Sequence, residues 1–207
     1  MSFKTMNGEC MEIILIRHGE SEANRINQDS YVMFTGQWEC HLTEKGTRQA
    51  QMLKDNPLLS GVERYFVSDS QRTQETAGYF ADKDKIVLDT RLRERSLGEF
   101  EGKFVCDIQE QEKYRQYFSN PAYMSFRHSF HVRAPGGENY EDVSRRVEDF
   151  LQEIQNLNLS KIAIVSHMCT IRCAMKLLQN LSEEDTLKIK VPKCEPIVLY
   201  DGLKASY

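Results

Sequence analysis

No apolar run in this 207-residue chain approaches the roughly 20 residues needed to cross a bilayer. The opening segment, Met1 to Gly8, lacks the apolar core of a secretory leader, so a cytoplasmic location is expected. A basic excess is missing too, since 27 Lys and Arg stand against 31 Asp and Glu for a formal net charge of −4. That balance argues against nucleic acid or an anionic membrane as partner, because both select a basic footprint. There is no Cys-x-x-Cys pair. Cys169 and Cys173 lie one helical turn apart with no second thiol pair, which is poor spacing for zinc, and no metal is expected. A chain of this length needs no disulfide staples, so free and mostly buried thiols are expected for all six cysteines. Repeats and low-complexity linkers are absent, and the length suits one domain over residues 1–207.

What the chain does have is a set of short aliphatic runs that end on polar residues. Ile13 to Ile16 reads as a strand buried on both faces, and it stops at Arg17-His18-Gly19. Arg64 to Val67 leads to Ser68-Asp69-Ser70 and a helix from Gln71 to about Phe80, with Arg72 in its first turn. Ile86 to Leu88 is a third short strand. Lys161 to Ser166 is a fourth; it terminates on His167, with a helix expected from Thr170 to Leu178. A last strand is expected at Ile197 to Tyr200.

Between the strands, Glu20 to Asn24 opens a short helix and Gln28 to Cys40 reads as a loop. Thr43 is a natural N-cap for a helix to about Leu53, and Asn139 for one to about Leu157. In the latter, Val143, Val147, Phe150, Leu151 and Ile154 share one face. Alternating strands and helices predict a layered α/β fold. Gly19 is placed where close backbone approach is wanted.

Ligands bind at the carboxyl ends of strands in open α/β sheets. Arg17-His18, the Ser68 to Arg72 junction and Ser166-His167 deliver two guanidiniums and two imidazoles to one edge. Such a set recognises phosphate, and a neutral imidazole can attack phosphorus. Surrounding cations disfavour the imidazolium and stabilise charge on the equatorial oxygens. A leaving alkoxide needs a proton, for which both Glu94 and Glu20 are candidates.

Arg17, His18, Ser21 and Asn24 match the RHGxSxxN pattern of the histidine phosphatase superfamily, the phosphoglycerate-mutase-like fold. The resemblance runs from about Glu12 to Tyr200. Thr35-Gly36, the Ser68 to Arg72 junction, Leu92 to Arg95, the Pro135-Gly136-Gly137-Glu138 turn and Val165 to His167 follow in the family's order. The resemblance implies a three-layer α/β/α sandwich with a mostly parallel central sheet. It implies that His18 is phosphorylated, that Arg17, Arg72 and His167 hold the phosphoryl group, and that Glu94, rather than Glu20, donates the proton. Ser21, Asn24, Thr35 and Gly36 become expected substrate contacts. The implied activity is metal- and cofactor-free hydrolysis of a small phosphorylated metabolite; phosphoglycerate mutase-type transfer and a non-catalytic phospho-ligand module are the alternatives. A homodimer is left open. Two departures stand out: Met168 replaces the glycine that usually follows the second histidine, and Asn139 replaces the serine after the turn.

The mutases of that family carry a long insertion where this chain has only Lys103 to Gly137, which favours hydrolysis. From Lys113 to Gly137 there is no Asp or Glu, while Arg127 and Arg133, with Lys113, Arg115, His128 and His131, alternate with Tyr114, Tyr117, Phe118, Tyr123, Phe126 and Phe130. Residues 103–137 are therefore expected to form a lid-like insertion that grips an anionic substrate through Arg127 and Arg133, or an irregular cap whose aromatics only pack.

Overall fold

The structure, a computed structural model, describes residues 11–121 and 125–199. The expectations on Met1 to Gly8, Cys10, Tyr123 and Tyr200 lie outside the described residues. The described strands are β1 (Glu12–Arg17), β2 (Arg64–Val67), β3 (Ile86–Leu88), β4 (Lys161–Ser166) and β5 (Ile197–Leu199). They form one sheet in the order β3-β2-β4-β1-β5, parallel throughout except for β5 on β1.

Helices follow as α1 (Glu22–Ile26), α2 (Glu44–Gln51), α3 (Gln71–Gly78), α4 (Val105–Gln109), α5 (Gln116–Ser119), α6 (Tyr140–Gln155), α7 (Met168–Gln179) and α8 (Glu183–Lys188). The two-residue period of the strands sorts their side chains between two cores. Ile13, Leu15, Ile162 and Ile164 join α6 and α7 in one cluster. Ile14, Ile16, Ala163 and Val165 join Ala50 and Leu53 at the end of α2 and Ala77 of α3 in the other. The sheet is thus the middle of three layers, and its strands read as unbroken aliphatic runs because both faces are covered.

The helix starts are set by side chains that satisfy orphan amides. Thr43 Oγ1 accepts from the Gly46 amide at 3.1 Å. Asn139 Oδ1 accepts from the Asp142 amide at 2.9 Å while Asp142 Oδ2 accepts from the Asn139 amide at 3.0 Å, a reciprocal capping box. Asparagine at 139 therefore caps α6 as a serine would. The five apolar residues expected on one face of α6 are all buried.

Two local departures have physical causes. α7 starts at Met168, two residues earlier than expected, directly on the heel of His167. α8 has no apolar periodicity to announce it; Ser182 caps it by accepting from the Asp185 amide at 3.0 Å. The close backbone approach expected at Gly19 is made to Gly46, whose carbonyl oxygen a Cβ there would meet at 2.5 Å.

Residues 103–121 and 125–137 pack beside this sandwich as short helices around a third cluster. Phe34, Leu97, Phe100, Ile108, Tyr114, Tyr117 and Phe126 form it, with Phe100 edge-on to Tyr114 and Tyr117 at ring distances of 4.9 and 5.4 Å. Backbone bonds from Phe34 to Lys103 (2.9 Å), Gly102 to Phe34 (2.7 Å) and Val105 to Val32 (2.8 Å) stitch the 28–40 loop to this cap.

Candidate active site

β1, β4 and β2 are neighbours, so their carboxyl ends open onto one place. The His18 amide donates to the Ser166 carbonyl at 3.1 Å, which holds the two histidine-bearing strand ends in register. The imidazole rings of His18 and His167 lie 5.2 Å apart. A cleft of about 230 Å³ lies over this edge, and Arg17, His18, Arg72 and Glu94 line it.

The tautomer of His18 follows from its contacts. Nδ1 lies 2.7 Å from the Gly19 carbonyl oxygen, which can only accept, so Nδ1 carries the proton. Nε2 is left as the unprotonated nitrogen. Burial first, then the Arg72 and Arg17 cations, hold the imidazole well below its ordinary pKa. The cations act in the expected direction, but burial exceeds them. His167 is shifted the same way, by burial, Arg72 and His18 in that order. It is fully buried, with Nε2 3.0 Å from Ser68 Oγ and Nδ1 without a hydrogen-bond partner.

Arg72, 2 % exposed, is aimed by carbonyls of the 28–40 loop: Nη1 donates to Trp38 O at 2.9 Å and Nη2 to Gly36 O at 3.1 Å. Arg17 Nη1 donates to Val191 O at 2.9 Å, and its buried Nε has no partner. No carboxylate neutralises either guanidinium by direct contact among the described residues.

Glu94 reaches the cleft on a segment fastened at several points. Ser166 Oγ donates to Leu92 O (2.7 Å) and Thr170 Oγ1 to Arg93 O (2.6 Å). Gln37 Nε2 and Arg146 Nη2 both donate to the Glu94 carbonyl, at 2.9 and 3.1 Å. The carboxylate accepts from the Arg95 amide at 2.8 Å and from the Cys169 amide at 3.4 Å. Glu20, the other acid considered, is not on the cleft wall. It accepts from Thr43 Oγ1 and pairs with Lys45, both at 2.9 Å, and Lys45 holds its carboxyl below the usual range.

Ser21, Asn24, Thr35 and Gly36 line the cleft as well. Ser21 and Asn24 also cap α1 reciprocally. Of the two arginines expected from residues 103–137, Arg127 lines the cleft and Arg133 does not. Arg133 is exposed and tied to Asp142 at 2.5 Å. The sequence pattern hid this because the acid lies just beyond the acid-free stretch.

Several cleft residues escaped the sequence reading. Tyr31 and Tyr140 carry no local signal, and neither does Asn27, which accepts from the Val32 and Met33 amides and so shapes the loop. Arg95, buried, donates to Phe126 O (2.8 Å) and Arg127 O (2.7 Å). Met168 and Cys169 enter through the first turn of α7, and burial raises the Cys169 thiol well above its ordinary pKa. The described cysteines, Cys40, Cys106, Cys169, Cys173 and Cys194, are free thiols, all buried except Cys106.

A cleft with guanidiniums and a proton-free imidazole nitrogen at the carboxyl edge of a doubly covered sheet defines a site for tetrahedral oxyanions. The chain belongs to the histidine phosphatase superfamily (branch 1), whose sequence model matches residues 13–200. It is 30 % identical over 181 residues to "Putative phosphoserine phosphatase 2" of Hydrogenobacter thermophilus, covering 86 % of this chain and 83 % of the relative. Identity to "Probable phosphoglycerate mutase GpmB" of Yersinia enterocolitica is 29 % over 188 residues, or 89 % and 82 % of the two chains. Among solved structures, the alpha-ribazole phosphatase of Shigella flexneri superposes with a TM-score of 0.73 at 25 % identity, covering 91 % and 89 %. A mycobacterial glucosyl-3-phosphoglycerate phosphatase shares the fold, with a TM-score of 0.74 at 20 % identity over 93 % and 91 %.

Proposed function

We propose that this protein is a metal-independent phosphomonoesterase that passes a phosphoryl group from a small phosphorylated metabolite to His18 and then to water. The observation that carries the reading is the His18 tautomer: Nδ1–H on the Gly19 carbonyl leaves Nε2 free to attack. In the first step a P–N bond forms at Nε2 as the ester P–O bond breaks. Arg17, Arg72 and His167 stabilise the charge on the equatorial oxygens, the guanidiniums supplying the electrostatic role often given to a metal. The Glu94 carboxylic acid gives its proton to the leaving oxygen. In the second step the Glu94 carboxylate takes a proton from water, whose oxygen attacks phosphorus as the P–N bond breaks. Ser21, Asn24, Thr35 and Gly36 contact the substrate from the facing loops.

Relatives named as phosphatases support hydrolysis, and the brevity of residues 103–137 does so independently. The buried free thiols suit a reducing compartment such as the cytoplasm.

The test is hydrolysis of an aryl phosphate by wild type and His18→Ala in the presence of chelator, with quenching in alkaline detergent to preserve phosphohistidine. Activity that survives chelator and vanishes with His18, together with an acid-labile phosphoenzyme in wild type alone, is the expected result. Added 3-phosphoglycerate that diverts the phosphoryl group from water would instead assign a mutase. Turnover undiminished in His18→Ala sinks the mechanism.

A further inference from the structure

The basic residues of the acid-free stretch divide into two groups by their partners. Those away from the cleft each contact an acid from elsewhere in the sequence or from its edge. Lys113 pairs with Glu99 (3.3 Å), Arg115 with Glu112 (2.5 Å), His131 with Glu183 (3.1 Å) and Arg133 with Asp142 (2.5 Å). Arg127 and His128, the two that line the cleft, have no acidic partner among the described residues.

Their position is built rather than incidental. Arg95, itself largely buried, spends its guanidinium on the carbonyls of Phe126 and Arg127 and so fixes the turn that carries them. Phe126 is anchored in the cap cluster, 5.7 Å from the Phe100 ring. The half-buried Arg127 guanidinium lies over the Tyr31 face, its carbon 3.2 Å from the ring centroid. Burial disfavours its charge, Tyr31 favours it and the neighbouring Arg95 disfavours it, while burial, Arg127, Arg172 and Arg95 lower His128.

A guanidinium with no carboxylate partner, held half out of water against Tyr31 with Arg95 nearby, is costly unless an anion completes it. Glu94 is the single carboxylate on a cleft wall that carries Arg17, Arg72, Arg95 and Arg127. The phosphoryl group accounts for Arg17 and Arg72, and nothing yet accounts for Arg127.

We propose that Arg127 and His128 form a second anion subsite, so that the substrate is a small phosphomonoester bearing a further phosphate or carboxylate. The inference rests on the phosphatase reading for the first subsite alone. Arg133 takes no part in it.

Non-hydrolysable phosphonates test it by binding, with no turnover required. Calorimetry compares simple alkylphosphonates, alkane bisphosphonates and carboxyalkylphosphonates of about two to six carbons. At one chain length a doubly anionic compound is expected to bind wild type about tenfold tighter than its simple counterpart. Arg127→Ala reduces that ratio to about twofold or less, and Arg133→Ala leaves it intact. A preference shown only by bisphosphonates assigns phosphate as the second anion, and one shown by both series admits either. No preference at any length, or a ratio unchanged by Arg127→Ala, overturns the proposal. If the preference holds but no phosphomonoester is hydrolysed, the phosphatase reading alone fails. Hydrolysis without any such preference defeats the second subsite alone.

Discussion

The sheet edge and the cap supply the two walls of one cleft by different means. At the edge, His18 and His167 follow directly on paired strands, and their rings are buried at 4 % and 0 % exposure. In the cap, Arg127 is held by two main-chain bonds from Arg95 and by aromatic packing around Phe126. A parallel ladder fixes side-chain positions by repeating bonds, whereas the cap relies on individual contacts that could be changed one at a time. On the proposed reading this is a division of labour: the chemistry is mounted on the element that tolerates least displacement, and recognition on the one that can be rebuilt.

The strongest way to break this comparison acts at the edge. Glu94→Gln keeps the shape of the side chain but cannot donate or take the proton. Hydrolysis of an alkyl phosphate should fall by about 10²–10⁴-fold, while phosphorylation of His18 by a nitrophenyl phosphate, whose leaving group needs no proton, falls far less. Equal losses on both substrates would show that Glu94 acts by shape or charge and not as an acid.

A core substitution in the cap probes the other side. Phe100→Ala removes the ring at the centre of the third cluster and should cost about 3–5 kcal/mol. Hydrogen exchange is expected to rise in α4, α5 and the Phe126 turn before it rises in β1 and β4. Uniform exchange across both regions would mean that cap and sheet unfold as one unit.

The smallest effect is a pH dependence that separates stability from chemistry. Both imidazoles are held well below 6.5 in the folded chain, so His18 Nε2 stays unprotonated, and phosphoenzyme formation from a nitrophenyl phosphate, whose leaving group needs no proton from Glu94, should hold level as pH falls from 8 to about 6. Stability does not hold level. The unfolded chain binds a proton at each histidine as pH drops through about 6.5 and the folded chain does not, so stability present above that pH is lost on acidification. The slope is at most ~1.4 kcal/mol per pH unit for each histidine, readable from denaturation midpoints. Midpoints that do not move between pH 7 and 5.5 would mean that the two rings take up protons in the folded chain as they do in the unfolded one.

How far the sequence disclosed these regions follows from the same contrast. Ile13 to Ile16 and Lys161 to Ser166 were legible because strands covered on both faces need consecutive aliphatic residues. The residues just after them, Arg17, His18 and His167, were legible as breaks in those runs. Thr43 and Asn139 were legible because an N-cap is a local contract between neighbours. Residues 103–137 gave no such signal, since α4 and α5 are too short to show a period and their aromatics meet Phe34 and Leu97 from distant segments. Arg133 was misassigned because its partner, Asp142, is contributed by α6. Arg95 was passed over because its importance lies entirely in carbonyls thirty residues away.

The contact between Gly19 and Gly46 carries one more consequence. A Cβ on Gly19 would meet the Gly46 carbonyl oxygen at 2.5 Å, and a Cβ on Gly46 would come within 2.0 Å of the Glu20 carbonyl oxygen. Neither glycine lines the cleft. In a saturation library selected for activity, both positions would nonetheless be as barren as His18, and for a reason that involves no chemistry. Intolerance to substitution around this site thus has two sources, and only one of them marks where the substrate sits.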